Sequence, residues 1–214
     1  MGKIHLIRHG TTEGVKARVY YGSTDLPLTN EGIDLISGLA AAGTYPKADG
    51  AYLYTTGLLR TEQTFFLIYG CRDHLAVPEL REYDFGEFEM KTHNQLIENA
   101  DYQSWIGDAD GITPCPSGES RSDFSNRITK GFTEILEKHK GERSFDGESR
   151  GAENPGSEGF DGNSIVVCHG GVISQIMRFC FPDSEKNLFQ WVPDPGRGYT
   201  IHIDGATPVS FDEI

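Results

Sequence analysis

Ile4-His5-Leu6-Ile7-Arg8-His9-Gly10 and Ile165-Val166-Val167-Cys168-His169-Gly170 are two apolar runs that each end in His-Gly. Each reads as a short buried strand running into a tight turn, with Gly10 supplying the freedom for a sharp bend. Strands of a parallel sheet deliver their last residues to one edge, where ligands bind. Two imidazoles, one with Arg8 beside it, then face a common crevice. That arrangement points to histidine chemistry on an anion.

Working outward from these runs, strands alternate with helices. Thr29 suits the N-cap of a helix over about 30–42, with Ile33, Ile36, Leu39 and Ala40 on its apolar face and Gly43 at its end. A strand is expected at 51–54, a helix at 58–69 and a short strand at 75–77. Residues 80–117 read as irregular, with short helices near 92–98 and around Trp105. From Glu119 a long helix places Phe124, Ile128, Phe132, Ile135 and Leu136 on one face. A strand at 164–168, a helix from about 171 to 179 and a terminal strand pair at 199–203 and 208–211 complete the chain, with Asp204-Gly205 at the last turn. The class is α/β, three layers α/β/α around a mostly parallel sheet. The whole chain, 1–214, reads as one domain. Residues 141–163 are Gly-, Ser- and Glu-rich and longer than an ordinary connection, so they read as a solvated insertion loop.

A formal net charge of −13 argues against nucleic acid or an anionic membrane as partner, while leaving room for a small anionic substrate met by a few local arginines. No apolar run approaches the roughly 20 residues of a membrane span. A strand begins almost at once, without a leader pattern, so a soluble cytoplasmic protein is expected. The four cysteines, Cys71, Cys115, Cys168 and Cys180, form no CxxC pair and read as reduced thiols. Cys168 is a second candidate nucleophile, ranked below its reading as a small core hydrophobe. The histidines lack metal-ligand spacing, so neither a metal nor another cofactor is expected.

Four separated segments resemble the motifs of the histidine phosphatase superfamily, the clan of the cofactor-dependent phosphoglycerate mutases and many phosphomonoesterases. They are Arg8-His9-Gly10-Thr11-Thr12, Thr55-Thr56-Gly57-Leu58-Leu59-Arg60-Thr61-Glu62-Gln63-Thr64, Leu80-Arg81-Glu82-Tyr83-Asp84-Phe85-Gly86-Glu87-Phe88-Glu89 and Val166-Val167-Cys168-His169-Gly170-Gly171. Thr24-Asp25-Leu26-Pro27-Leu28-Thr29 and Ser117-Gly118-Glu119-Ser120 add support, and all occur in family order. The resemblance implies a phosphoglycerate mutase-like fold and a small phosphorylated substrate. It implies that His9 accepts the phosphoryl group, that Glu82 donates a proton, and that His169, Arg8 and Arg60 complete the catalytic set. Gly10, Thr11, Thr12 and Gly170 join Arg8 and Arg60 around the phosphate. Asp84, Glu87 and Glu89 are rivals of Glu82. His5, His74, His93, His139 and His202 read as structural or solvated.

The chemistry suits these residues. A neutral imidazole attacks phosphorus without losing a proton, and neighbouring arginines favour that neutral form. Its second nitrogen needs an acceptor, expected to be a backbone carbonyl near Gly10. Arg8, Arg60 and His169 would hold phosphoryl oxygens, with His169 as imidazolium, and Arg60 would use both its fork and a helix N-terminus. Glu82 would protonate the leaving group, then deprotonate water. Three positions depart from the family pattern. Val15 stands where Asn is common, with Lys16 or Arg18 as the candidate substitutes; Phe88 stands for Trp; and Met90 stands for Gly. Tyr20, Tyr21, Lys16, Arg18 and the Trp105 region are the candidate leaving-group pocket. The segment after Glu82 resembles the phosphatase branches, nearest the alpha-ribazole-phosphatase-like and broad-specificity phosphatases. The reading is therefore a metal-independent phosphomonoesterase. A phosphoglycerate mutase and a non-catalytic phospho-ligand binding module are the alternatives. The oligomeric state is left open.

Overall fold

The computed structural model describes residues 2–139 and 162–214. The expected insertion therefore lies outside the described residues, except that Gly162 and Asn163 lead directly into a strand. In chain order the elements are β1 (Gly2–Arg8), α1 (Glu13–Ala17), β2 (Val19–Tyr20), α2 (Asn30–Ala41), β3 (Tyr52–Thr55), α3 (Leu59–Tyr69), β4 (Leu75–Ala76), β5 (Lys91–Thr92), α4 (His93–Leu96), α5 (Ala100–Gly107), α6 (Arg121–Lys138), β6 (Asn163–Cys168), α7 (Gly170–Cys180), β7 (Gly198–Asp204) and β8 (Thr207–Glu213). A six-stranded sheet runs in the order β4-β3-β6-β1-β7-β8, parallel from β4 to β1 and antiparallel where β7 meets β1 and β8.

Side-chain alternation along the buried strands makes the layers. Ile4, Leu6, Val166, Cys168 and Tyr54 point to one face, where they meet Phe124, Ile128 and Phe132 of α6 and Val172, Ile173 and Met177 of α7. Ile7, Ile165, Val167 and Leu53 point to the other face and meet Phe65 of α3. Helix α2 packs against α3. The fold is thus α/β with a mostly parallel sheet between helical layers. Helix α6 is started by a reciprocal cap between Ser120 and Asp123. The β7–β8 turn differs slightly from expectation: Asp204 pairs with Thr207, and Gly205, at φ +63°, begins the two-residue loop.

Register positions the site. In the parallel β1–β6 pair, Arg8 lies opposite Cys168, and the His9 N–H donates to the Cys168 carbonyl at 3.0 Å. His9 and His169, each one residue further on, emerge side by side at the C-terminal sheet edge. Gly10 is needed there for space rather than for torsion. Its φ is not positive, but a Cβ would sit 2.8 Å from Ile36 Cγ1 of α2. Helix α1 and the β2–β5 ribbon escape sequence reading because the two ribbon strands have two residues each. The ribbon pairs Val19 with Thr92 and Tyr20 with Lys91. Met90, just before the ribbon strand β5, has φ +60°, the left-handed region that glycine adopts without strain.

Candidate active site

His9 is 3% exposed and His169 fully buried, with ring centroids 5.3 Å apart. His9 Nδ1 lies 2.7 Å from the Gly10 carbonyl, so the proton sits on Nδ1 and Nε2 carries the free lone pair. This is the carbonyl partner expected from sequence. Burial, then the charges of Arg60 and Arg8, hold the His9 pKa well below its ordinary value. The ring is therefore neutral at neutral pH.

His169 departs from expectation. Arg60 Nε donates to its Nδ1 at 3.2 Å, and its Nε2 lies 2.9 Å from Thr56 Oγ1. An imidazolium has no acceptor to offer Arg60, so His169 is neutral with its proton on Nε2. Burial and the neighbouring Arg60, His9 and Arg8 push its pKa well below the usual range. Thr56, in the turn before α3, is a site residue that sequence reading missed.

Arg60, on the first turn of α3, is fully buried. Its fork does not face the crevice as expected: Nη2 donates to the Gly22 carbonyl at 2.7 Å and Nη1 to that of Thr24 at 3.0 Å. Tyr21 lies under the guanidinium, 5.1 Å from ring centroid to Cζ. The loop carrying these carbonyls is itself held by Glu89, whose carboxylate accepts from the N–H groups of Gly22, Ser23, Thr24 and Phe85 at 2.9–3.2 Å. Glu89, read as a rival acid, is thus an anchor. Arg8 Nη1 donates to the Pro193 carbonyl at 2.6 Å, and its buried Nε has no partner among the described residues.

Glu82 accepts from its neighbour Tyr83 N and from Gly171 N, both at 2.9 Å, and so sits beside the His169-Gly170 turn. A Cβ on Gly171 would come 2.4 Å from Glu82 Oε1, so glycine is what admits the carboxylate. Arg127 of α6 fastens the Glu82 loop by donating to the carbonyls of Glu79, Arg81 and Glu82 at 2.6–3.3 Å, while pairing with Glu119 at 2.6 Å. The rivals lie elsewhere: Asp84 caps Gly86 N at 3.0 Å, and exposed Glu87 meets Ser117.

The remaining expected ligands divide. Gly170 starts α7 against Arg8, where a Cβ would lie 3.1 Å from Arg8 Nε. Gly10 N is already donated to Thr64 Oγ1 at 3.0 Å. The Thr12 hydroxyl caps α1 and donates to Tyr21 at 2.7 Å, so it is committed to structure. Thr11 is half-buried, its carbonyl accepting from Thr29 N. Neither candidate substitute for the Asn position reaches the site: Lys16 pairs with Glu31 at 3.2 Å and Glu13 at 3.6 Å, and exposed Arg18 ends α1. Cys168 lies in the core, where burial pushes its thiol pKa up, so it is not the nucleophile. Among the described residues no three His, Cys, Asp or Glu side chains group as a metal site. No described helix is long and apolar enough to cross a membrane.

A family model for the histidine phosphatase superfamily (branch 1) matches residues 4–145. The chain belongs to that superfamily. It is 32% identical over 133 residues, 60% of its own length, to the adenosylcobalamin/alpha-ribazole phosphatase of Salmonella typhimurium. It is 32% identical over 141 residues, 64% of its length, to a probable phosphoglycerate mutase GpmB of Proteus mirabilis. The matches span 64% of each of these two relatives. The crystal structure of a putative alpha-ribazole-5′-P phosphatase from Escherichia coli superposes with a TM-score of 0.76 at 24% identity, covering 97% of this chain and 93% of that one. That likeness establishes the phosphoglycerate mutase-like fold.

Proposed function

We propose that this chain is a phosphomonoesterase that works through a phosphohistidine on His9. The observation that carries the reading is the paired, buried, neutral imidazoles, with His9 Nδ1 tied to the Gly10 carbonyl and its Nε2 left as a nucleophile. Nε2 attacks phosphorus, and the phosphorus–oxygen ester bond breaks. The leaving alkoxide takes its proton from Glu82, which the Gly171 N–H holds beside the histidine pair. Water then gives a proton to Glu82, its oxygen attacks phosphorus, and phosphate and His9 are regenerated. Arg8, whose Nε lacks a partner among the described residues, and the buried charge of Arg60 stabilise the phosphoryl oxygens. A phosphoryl dianion between the rings opposes the arginine charges and favours protonation of His169, so that ring becomes cationic only with substrate.

The alpha-ribazole phosphatase named among the relatives places alpha-ribazole phosphate in the first panel of esters. The test is phosphate release from that panel in EDTA, with His9→Ala beside the native chain. The expected result is EDTA-resistant release that His9→Ala abolishes, with an acid-labile phosphoryl adduct on the native chain. Interconversion of 3- and 2-phosphoglycerate without net release would make the chain a mutase. Phosphate-ester binding without either reaction would make it a binding module. The single-domain reading of 1–214 and a small phosphorylated metabolite as partner belong to the same proposal.

A further inference from the structure

A cavity of about 300 Å³ is lined by Gly171, whose N–H binds the Glu82 carboxylate, and by Tyr83, the neighbour of Glu82 in the chain. Much of the rest of its lining is aromatic: Tyr20, Phe85, Trp105 and Phe124. Tyr20 and Phe85 ring centroids are 5.1 Å apart, and the Trp105 ring stands edge-on to both. Three large apolar side chains that water should not meet, Ile106 at 45% exposure, Phe189 at 89% and Val192 at 37%, also line it. An apolar occupant would cover all three.

Part of the lining is polar. Arg121 and Gln175 line both this cavity and a polar one beyond it that also includes Arg178 and Asp110. Arg121 Nε is buried with no partner among the described residues. Its Nη2 reaches the Trp105 carbonyl only at 3.4 Å, and Arg121 makes no ion pair among the described residues. The capping box of Ser120 and Asp123 fixes its place at the start of α6. A guanidinium held in position with unfilled donors is suited to an acceptor.

We propose that this cavity receives the leaving group of the ester, and that Arg121 is a specificity-determining residue reading an acceptor on that group's far edge. The leaving group is a planar apolar body with a carboxylate or comparable acceptor opposite the ester oxygen. The inference rests on the phosphomonoesterase reading. It is tested with 2-naphthyl phosphate, 6-carboxy-2-naphthyl phosphate and glycerol 2-phosphate. The expected order of kcat/KM is carboxynaphthyl, then naphthyl, then glycerol ester. Arg121→Met is expected to cut the carboxynaphthyl-to-naphthyl ratio about tenfold, and Arg121→Lys to restore part of it. A ratio unmoved by Arg121→Met, or a preference for glycerol 2-phosphate, would overturn the proposal. Calorimetric binding of 6-hydroxy-2-naphthoate separates the two readings, with melting temperatures confirming that the variants fold. Arg121-dependent binding without turnover of any ester would sink the phosphatase and keep the cavity assignment. Turnover with binding indifferent to Arg121 would do the reverse.

Discussion

Arg60 and His169 have no exposed surface and make hydrogen bonds on every side, whereas Phe189, at the cavity rim beside the same centre, is 89% exposed. The histidine pair and its arginines are held by backbone carbonyls, a strand register and a carboxylate anchor. The cavity is walled by aromatic rings, and the Arg121 Nε beside it has no partner among the described residues. On the proposed reading, the first region is preorganised for the phosphoryl group and the second takes the group released from it. Preorganisation matters most where charge changes during reaction.

Breaking the constant region should have the largest effect. Glu82→Gln is expected to lower kcat on alkyl phosphates by about 10²–10⁴-fold. It should cost far less with a nitrophenyl ester, whose leaving group departs without a proton. Equal losses on the two, measured as steady-state rates, would show that Glu82 holds structure rather than delivers the proton. Glu89→Ala comes next. It strips one carboxylate from four N–H groups and frees the loop whose carbonyls hold Arg60. A stability loss of about 3 kcal/mol in urea unfolding is expected, with kcat/KM falling at least about tenfold.

The buried imidazoles also set a pH dependence. Both His9 and His169 have pKa values lowered in the folded protein. Above about pH 6.5 both states are neutral and the pair has no effect on stability. Below it the unfolded chain takes up protons that the folded protein refuses, so stability falls as pH falls. Between pH 7.5 and 5.5 the expected loss is about 1.4 kcal/mol for each histidine. Urea midpoints at pH 7.5 and 5.5 for the native chain and for His9→Gln/His169→Gln measure it. An unchanged slope in the double variant would mean that both rings protonate freely in the fold. The smallest effect concerns the ribbon beside the cavity. Met90 is 44% exposed at φ +60°, so Met90→Gly should raise stability by about 1 kcal/mol by relieving the left-handed strain. A decrease would show that the Met90 side chain contributes more packing than its exposure suggests.

Much of the fold was legible because its signals are local. The apolar run from Ile4 to Ile7 and the heptad-like stripe of α6 name their faces without help from the rest of the chain. The histidines were legible for the same reason, since each ends a buried strand. Their protonation was not. Whether His169 is imidazole or imidazolium depends on Arg60, 109 residues away, and Thr56, 113 residues away. The anchoring of Gly22 by Glu89 spans 67 residues. Arg127, which ties down the Glu82 loop, reads in sequence as one more polar residue on a helix.

The α/β class and the sheet edge at which His9 and His169 emerge are readable in the chain alone, because strand alternation and glycine turns act over a few residues; Arg60 and Glu82 were named there only through resemblance to the family. Folding settled that Glu82 meets the Gly171 N–H, which way the Arg60 fork points, that Lys16 and Arg18 pair or end a helix outside the site, and that Arg121 lines a cavity. Hydrogen-bond partners and desolvation are properties of segments brought together in space, and no local pattern carries them.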